Sequence, residues 1–253
     1  MIAVEDARVI YPNGTEALKP CTLRYAAGAF TVLLGASGAG KSTLLRSLNG
    51  LVPLSEGRVT AEGLGDITRN LRVHRSRTGM IFQQHQLIGR RTVLANVLMG
   101  RLGHHSGLRT LLPFNEPEKR LALAAIDRVG LLDYALRRAD QLSGGQQQRV
   151  GIARALVQQP SVILADEPVA SLDPATAERV LGLLHAICRD DGLTAIVSLH
   201  QLDLARRFAD RIIGIAGGKV VFDGKPAELS AGDVARIYGD ALAPQNIPML
   251  EHA

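Results

Sequence analysis

Gly35-Ala36-Ser37-Gly38-Ala39-Gly40-Lys41-Ser42-Thr43 sets glycines, one cation and two hydroxyls in the spacing G-x-x-x-x-G-K-[ST]. Glycines without a Cβ let backbone N–H groups converge on phosphate oxygens. A helix opening at Lys41 turns its positive end toward the same anion. Lys41 can then reach the β and γ phosphates, and the Ser42 hydroxyl can face Mg²⁺. A chance Gly-rich turn is the bland alternative. The apolar run Phe30–Leu34 before the loop and the helical run after it oppose that alternative. A loop of this kind specifies a nucleoside triphosphate and leaves the reaction open.

Val162-Ile163-Leu164-Ala165-Asp166-Glu167 is an apolar run that ends in two acids. As a buried strand it delivers Asp166 to the carboxyl edge of a sheet, where ligands of such folds sit. Asp166 is a candidate Mg²⁺ ligand, directly or through water. Glu167 is the candidate base that polarises water for attack, and strand alternation predicts that it points to the other side. A lone Asp-Glu pair is usually a solvated strand end; a phosphate loop in the same chain favours the functional reading.

Leu142-Ser143-Gly144-Gly145-Gln146 opens a second helix with a good N-cap, Ser143, and two glycines that bare backbone N–H groups. That makes a second phosphate cradle in one small chain. One nucleotide cannot easily occupy both, and a head-to-tail pair of chains resolves the conflict.

These segments need a scaffold. The sequence predicts strands over 2–11, 21–25, 30–34, around 59–60, and over 78–82, 162–165, 194–198, 211–215 and 219–222. Helices are predicted over 41–49, 144–158, 174–189, 202–208 and 226–238. The stretch 93–129 reads as mostly helical, broken over 100–117. Gly217-Gly218 marks a hairpin. The tail after Asp240 is expected to be loosely held. The fold class is α/β: a P-loop core with a mostly parallel sheet, an antiparallel β subdomain and a helical subdomain.

In this combination the chain resembles the ABC ATPase family over nearly its whole length. The Leu-Ser-Gly-Gly-Gln signature, about 20 residues before the Asp-Glu strand, is the family's most specific mark. The resemblance implies one ATP-binding domain over 1–253, with the helical subdomain and signature helix within about 84–158. It implies ATP contacts at Tyr11, which stacks on adenine, at Gly35, Ala36, Ser37, Gly38, Ala39, Gly40, Lys41, Ser42 and Thr43, at Ser143, Gly144, Gly145 and Gln146, and at Asp173 of the Ser171-Leu172-Asp173 turn. It implies Mg²⁺ contacts at Ser42, Gln83 and Asp166. Catalytic roles fall to Glu167, to the switch histidine His200 and to Gln83, which senses Mg²⁺ and the attacking water. Singly, each has a bland reading: Tyr11 a core aromatic, Gln83 a polar strand end, His200 a surface histidine, Asp173 a helix cap. Their joint order favours the functional set.

The stretches 82–84, 91–98, 100–103, 139–155 and 165–174 look like those of phosphonate importer ATPases. So does Val197-Ser198-Leu199-His200-Gln201, where most importer ATPases carry Thr-His-Asp. Ala36 and Ala95 depart from the residues many members have. The resemblance implies a homodimer of ATPase subunits, integral-membrane permease subunits, and indirectly a periplasmic or extracellular phosphonate-binding protein. It implies a peripheral site on the cytoplasmic face of the bacterial inner membrane. A groove over about 84–112, including Leu87 and Arg90, is expected to take a permease helix. Competing readings are an importer ATPase for phosphate, phosphite or an amino acid, a non-transport ATPase, and a scaffold that binds ATP without hydrolysis.

Composition bounds the rest. The 253 residues carry a net charge of +5, with 46% hydrophobic and 21% charged residues, which is ordinary for a folded protein. Aromatics at 4% oppose a stacking platform, so no nucleic-acid partner is expected. Two cysteines far apart fit a reduced compartment. No secretory signal is read at the start. No apolar run reaches the ~18–20 residues of a membrane span, so service to a membrane is expected to run through a partner.

Overall fold

The computed structural model describes residues 1–84, 86–105, 107 and 112–239. The expected loose tail after Asp240 lies outside these residues.

The main sheet owes its position to two-sided burial. In β3 (Phe30–Leu34) all five residues are buried. Phe30, Val32 and Leu34 face one hydrophobic core and Leu33 faces the other. A strand covered on both faces has no polar alternation, which is why the sequence shows one apolar run there. Its neighbours are β8 (Thr194–Leu199) and β9 (Arg211–Ala216), both parallel to it. The sheet continues from β8 to β7 (Val162–Asp166) and β6 (Thr78–Ile81), also in parallel. Beyond β9, β10 (Lys219–Gly224) returns antiparallel through the Gly217-Gly218 hairpin. The order is β10-β9-β3-β8-β7-β6.

A second, antiparallel sheet joins β2 (Glu16–Tyr25), β1 (Ile2–Ile10), β4 (Glu56–Ala61) and the short β5 (Gly65–Asp66) in that order. Ile2, Val4, Val9 and Leu18 of this layer meet Leu44, Leu45 and Leu48 of α1 (Lys41–Leu48) in one core. Burying a side chain of this size contributes about 1.5–3 kcal/mol. The sequence predicts only 21–25 as strand here, because Pro20 and the polar residues before it weaken the pattern. Pro20 is tolerated because β2 lies at the sheet's edge. The helix α2 (Leu71–Ser76), which follows a helical turn over 67–70, is an element the pattern does not predict.

The other core lies under the helices. The predicted interruption of 93–129 is real: α3 (Val93–Leu98) gives way to a 3-10 turn (Met99–His104), and helix resumes at α4 (Glu116–Arg128). Asn115 caps α4 in a reciprocal box with Glu118. Helices α3 and α4 pack on α5 (Gly144–Leu156), which also rests on α6 (Pro174–Asp190) and β6. Two short helices complete the carboxyl end, α7 (Leu202–Phe208) and α8 (Ala231–Tyr238). The predicted helix over 226–238 is divided: a 3-10 turn spans Pro226–Glu228, and Ser230 then caps α8.

Candidate nucleotide site

The phosphate loop leaves β3 and enters α1 through Gly40, whose φ of +111° is denied to residues with a side chain. A Cβ on Gly40 would also lie 2.6 Å from the Ala17 carbonyl oxygen. Lys41 is buried at the helix start, and its Nζ donates to the carbonyls of Gly35 (2.8 Å) and Ala36 (3.0 Å). Burial pulls the Lys41 ammonium below its ordinary pKa, while the charges of Glu167 and Asp166 oppose that pull. A cation held this dry is suited to an anionic ligand.

β7 delivers Asp166 to the same edge. The Ser42 hydroxyl donates to Asp166 Oδ1 at 2.7 Å, and Arg46 approaches Oδ2 at 3.3 Å. Glu167 follows with φ of +49°, a left-handed backbone that costs a non-glycine residue on the order of 1–3 kcal/mol. The strand has ended at Asp166, so the alternation argument for Glu167 does not apply; the turn of the backbone, not the pleat, aims its side chain. The carboxylate meets His200 Nε2 at 2.5 Å and lies 3.8 Å from Lys41 Nζ, both through Oε1.

Ser198 is a residue that sequence reading assigned no role. It is fully buried in β8, level with Asp166 in the parallel register. Its hydroxyl donates to Asp166 Oδ1 (3.1 Å) and accepts the Glu167 N–H (2.9 Å). One side chain thus braces both acids. The available signal was the Ser198 hydroxyl set in the otherwise apolar residues 195–199.

Tyr11 stands just past β1, half-buried, with its hydroxyl 3.1 Å from Thr43 Oγ1, so the expected adenine contact sits beside the helix of the phosphate loop. Gln83 is exposed two residues beyond Ile81, which pairs with Ala165, and therefore leaves the sheet at the edge of Asp166 and Glu167. Gly35 and Ala39 are buried, whereas Ser37 and Gly38 are exposed at the tip of the loop.

The signature turn is built as predicted but faces elsewhere. Ser143 caps α5, accepting the Gln146 N–H, while the Gln146 side chain accepts the Ser143 N–H. Ser143, Gly145 and Gln146 line a cavity of about 550 Å³ with Arg128, Arg149 and Thr176. None of its lining residues is shared with the smaller cavity of about 160 Å³ beside Glu167 and His200. Asp173 caps α6 through Thr176 N (3.0 Å), so it has the structural role whatever else it does.

In the segment after Gln83, Leu87 packs against the core, and the cavity of about 280 Å³ on this face is lined by Ile88, Arg91, Ala95, Leu98, Met99, Leu102 and Phe114. Leu87 and Arg90 are not among the lining residues. Residues 85, 106 and 108–111 of the expected groove lie outside the described residues.

Comparison with known proteins identifies the family. The family model described as "ABC transporter" matches residues 18–170. The chain is 58% identical to a phosphite import ATP-binding protein of Stutzerimonas stutzeri, over 98% of this chain and 91% of that one. It is 60% identical to a phosphonates import ATP-binding protein of Cupriavidus metallidurans, over 93% and 85% of the two chains. Among solved structures, a dimeric bacterial ABC transporter cassette superposes with a TM-score of 0.78 at 35% identity, over 89% of this chain and 99% of that one.

Proposed function

Since this chain belongs to the ABC transporter family, as an ATP-binding protein of that family, we propose that it is the ATP-hydrolysing subunit of a phosphonate importer, acting through integral-membrane permease subunits at the cytoplasmic face of the membrane. The observation that carries the hydrolytic reading is the convergence of Lys41, Ser42, Asp166, Glu167 and His200 on one sheet edge.

The residues fit ATP and Mg²⁺. Gly40 has the backbone a phosphate cradle needs and no room for a Cβ. Ser42 Oγ and Asp166 Oδ1, 2.7 Å apart, are hard oxygen donors of the kind Mg²⁺ takes alongside phosphate oxygens and water. Bound ATP and Mg²⁺ supply the phosphoryl group and the charge that neutralises its oxygens. Lys41 and the loop N–H groups hold negative charge. Ser42 and Asp166 would hold the metal. Glu167 orients a water and accepts its proton, and His200 fixes the Glu167 carboxylate from the other side. Catalysis of this type is mostly positioning and electrostatics.

The separation of the Ser143 cavity from the Glu167 cavity supports a homodimer. In that arrangement Ser143, Gly144 and Gly145 of one subunit would close over the nucleotide held by the loop of the other. Among the described residues no helix is long and apolar enough to cross a membrane, in keeping with a role through permease subunits.

The cargo rests on the relatives' names, because no residue of an ATPase subunit reads it. A phosphonate is favoured by the likeness to the phosphonates import protein at 60% identity. Phosphite is the second reading, favoured by the phosphite import relative at 58%. The deciding experiment deletes the gene and grows the strain on a phosphonate, on phosphite or on phosphate as sole phosphorus source. It complements with wild type and with Glu167→Gln. Growth lost on phosphonate and restored only by wild type supports the first reading. Loss confined to phosphite selects the second, and growth unchanged on both removes this cargo class.

A further inference from the structure

The switch histidine has a partner outside the phosphate-binding elements. We propose that Tyr238, on the last turn of α8, is a positioning residue for His200. The proposal deepens the hydrolytic reading above and rests on it.

The Tyr238 hydroxyl donates to the main-chain carbonyl of His200 at 3.0 Å, across 38 residues of sequence. His200 lies between the end of β8 and the start of α7, in a connection of two residues. Its ring nitrogen must meet Glu167 Oε1. Only two torsions separate that ring from the main chain, so a shift of the carbonyl is passed to the catalytic contact. Misplacement by about 1 Å is enough to cost two orders of magnitude in rate at a reacting centre.

Tyr238 is well placed to hold its end. The neighbouring Ile237 is buried and sits over Gly214 of β9, where a Cβ would come within 2.4 Å of Ile237 Cδ1. The glycine thus makes the seat for the helix. The other end of α8 is tied by Ser230, whose hydroxyl accepts the Asp233 N–H at 3.2 Å. A connection on the far side of the switch adds to this, since Arg206 of α7 donates to the Leu229 carbonyl at 3.3 Å. Burial pushes the Tyr238 phenol up to about 12, so it stays a donor throughout the physiological range. The bland alternative is that the carbonyl of His200 merely satisfies a half-buried hydroxyl, with no consequence for catalysis.

The test is steady-state ATP hydrolysis by the purified full chain with Mg²⁺, comparing wild type, Tyr238→Phe, His200→Ala and the double variant. Loss of one neutral hydrogen bond, about 1 kcal/mol, corresponds to roughly a threefold to tenfold fall in kcat. That fall is expected for Tyr238→Phe with KM for ATP unchanged. In the His200→Ala background the same substitution is expected to change nothing, because the group it positions is gone. Wild-type kcat for Tyr238→Phe, or an equal further loss in the His200→Ala background, overturns the proposal. Ile237→Val, which loosens the seat but keeps the hydroxyl, is expected to lower kcat less than Tyr238→Phe does; a loss as large as that of Tyr238→Phe assigns the effect to a loosened helix and also overturns it. If His200→Ala itself hydrolyses at the wild-type rate, the hydrolytic reading of His200 fails, which is a separable outcome.

Discussion

His200 Nε2 and Glu167 Oε1 stand 2.5 Å apart, and the same oxygen faces Lys41 Nζ at 3.8 Å. One carboxylate oxygen therefore carries the link between the switch loop and the phosphate loop. Replacing Glu167 with Gln keeps the size but removes the base. Hydrolysis is expected to fall by about two to four orders of magnitude, with ATP binding intact and a closed dimer accumulating. Phosphate release and gel filtration with ATP and Mg²⁺ check this. A variant that hydrolyses like wild type refutes the role.

Ser198 gives an independent test of the brace. In Ser198→Ala the Glu167 N–H loses its acceptor and Asp166 loses a donor. An unsatisfied buried group costs about 1–3 kcal/mol, here at a left-handed residue that already stores strain. The expected outcome is a kcat lowered roughly tenfold, with ATP affinity within about twofold of wild type. Equal loss of affinity and rate would mean that the phosphate loop, not the acid pair, depends on Ser198.

Much of this site was legible because its signals are local. The loop 35–43 has a spacing that only a strand–loop–helix context explains, and Asp166 ends an apolar run, so both were found. The direction of Glu167 was not, since its left-handed φ of +49° carries no glycine or asparagine as a marker. The clamp by Ser198 and the bond from Tyr238 were hidden for another reason. Both join residues more than 30 positions apart, and such pairs have no period to read. In the fold, the two-sided burial of β3 was plain, whereas the start of β2 was masked by Pro20 on an edge strand and α2 lacks a sustained apolar face.

The phosphate loop distinguishes two of its glycines. Gly40 and Gly38 both have positive φ, but a Cβ on Gly40 would press on the Ala17 carbonyl, while among the described residues beyond its chain neighbours nothing lies within 4 Å of one on Gly38. Backbone strain alone costs an alanine about 1–2 kcal/mol at such a position. Gly38→Ala is expected to lose about that much, and Gly40→Ala clearly more, because a main-chain neighbour has to move. Thermal or denaturant unfolding of the two variants without nucleotide measures the difference. Equal destabilisation would show that the Ala17 contact yields easily.

The proposed permease-docking face is testable through Ile88 and Met99, which are exposed on the 280 Å³ cavity. The placement of Ile88 depends on Asn96, fully buried in α3. Its side chain accepts the Ile88 N–H at 2.8 Å and donates to the carbonyls of Ile88 (3.2 Å) and Thr92 (3.0 Å). On the other side Arg154 of α5 donates to the Gln86 carbonyl at 2.7 Å. Gln86 and Ile88 are thus held by the signature helix and by α3 respectively. Ile88→Glu or Met99→Glu places a charge where an apolar partner helix would sit, and burying that charge unpaired is prohibitive. Import by the assembled transporter is expected to fall at least tenfold, while ATP hydrolysis by the isolated subunit stays within about twofold of wild type, since neither residue touches the nucleotide edge. Full import activity in both variants would move the docking surface elsewhere on the helical face.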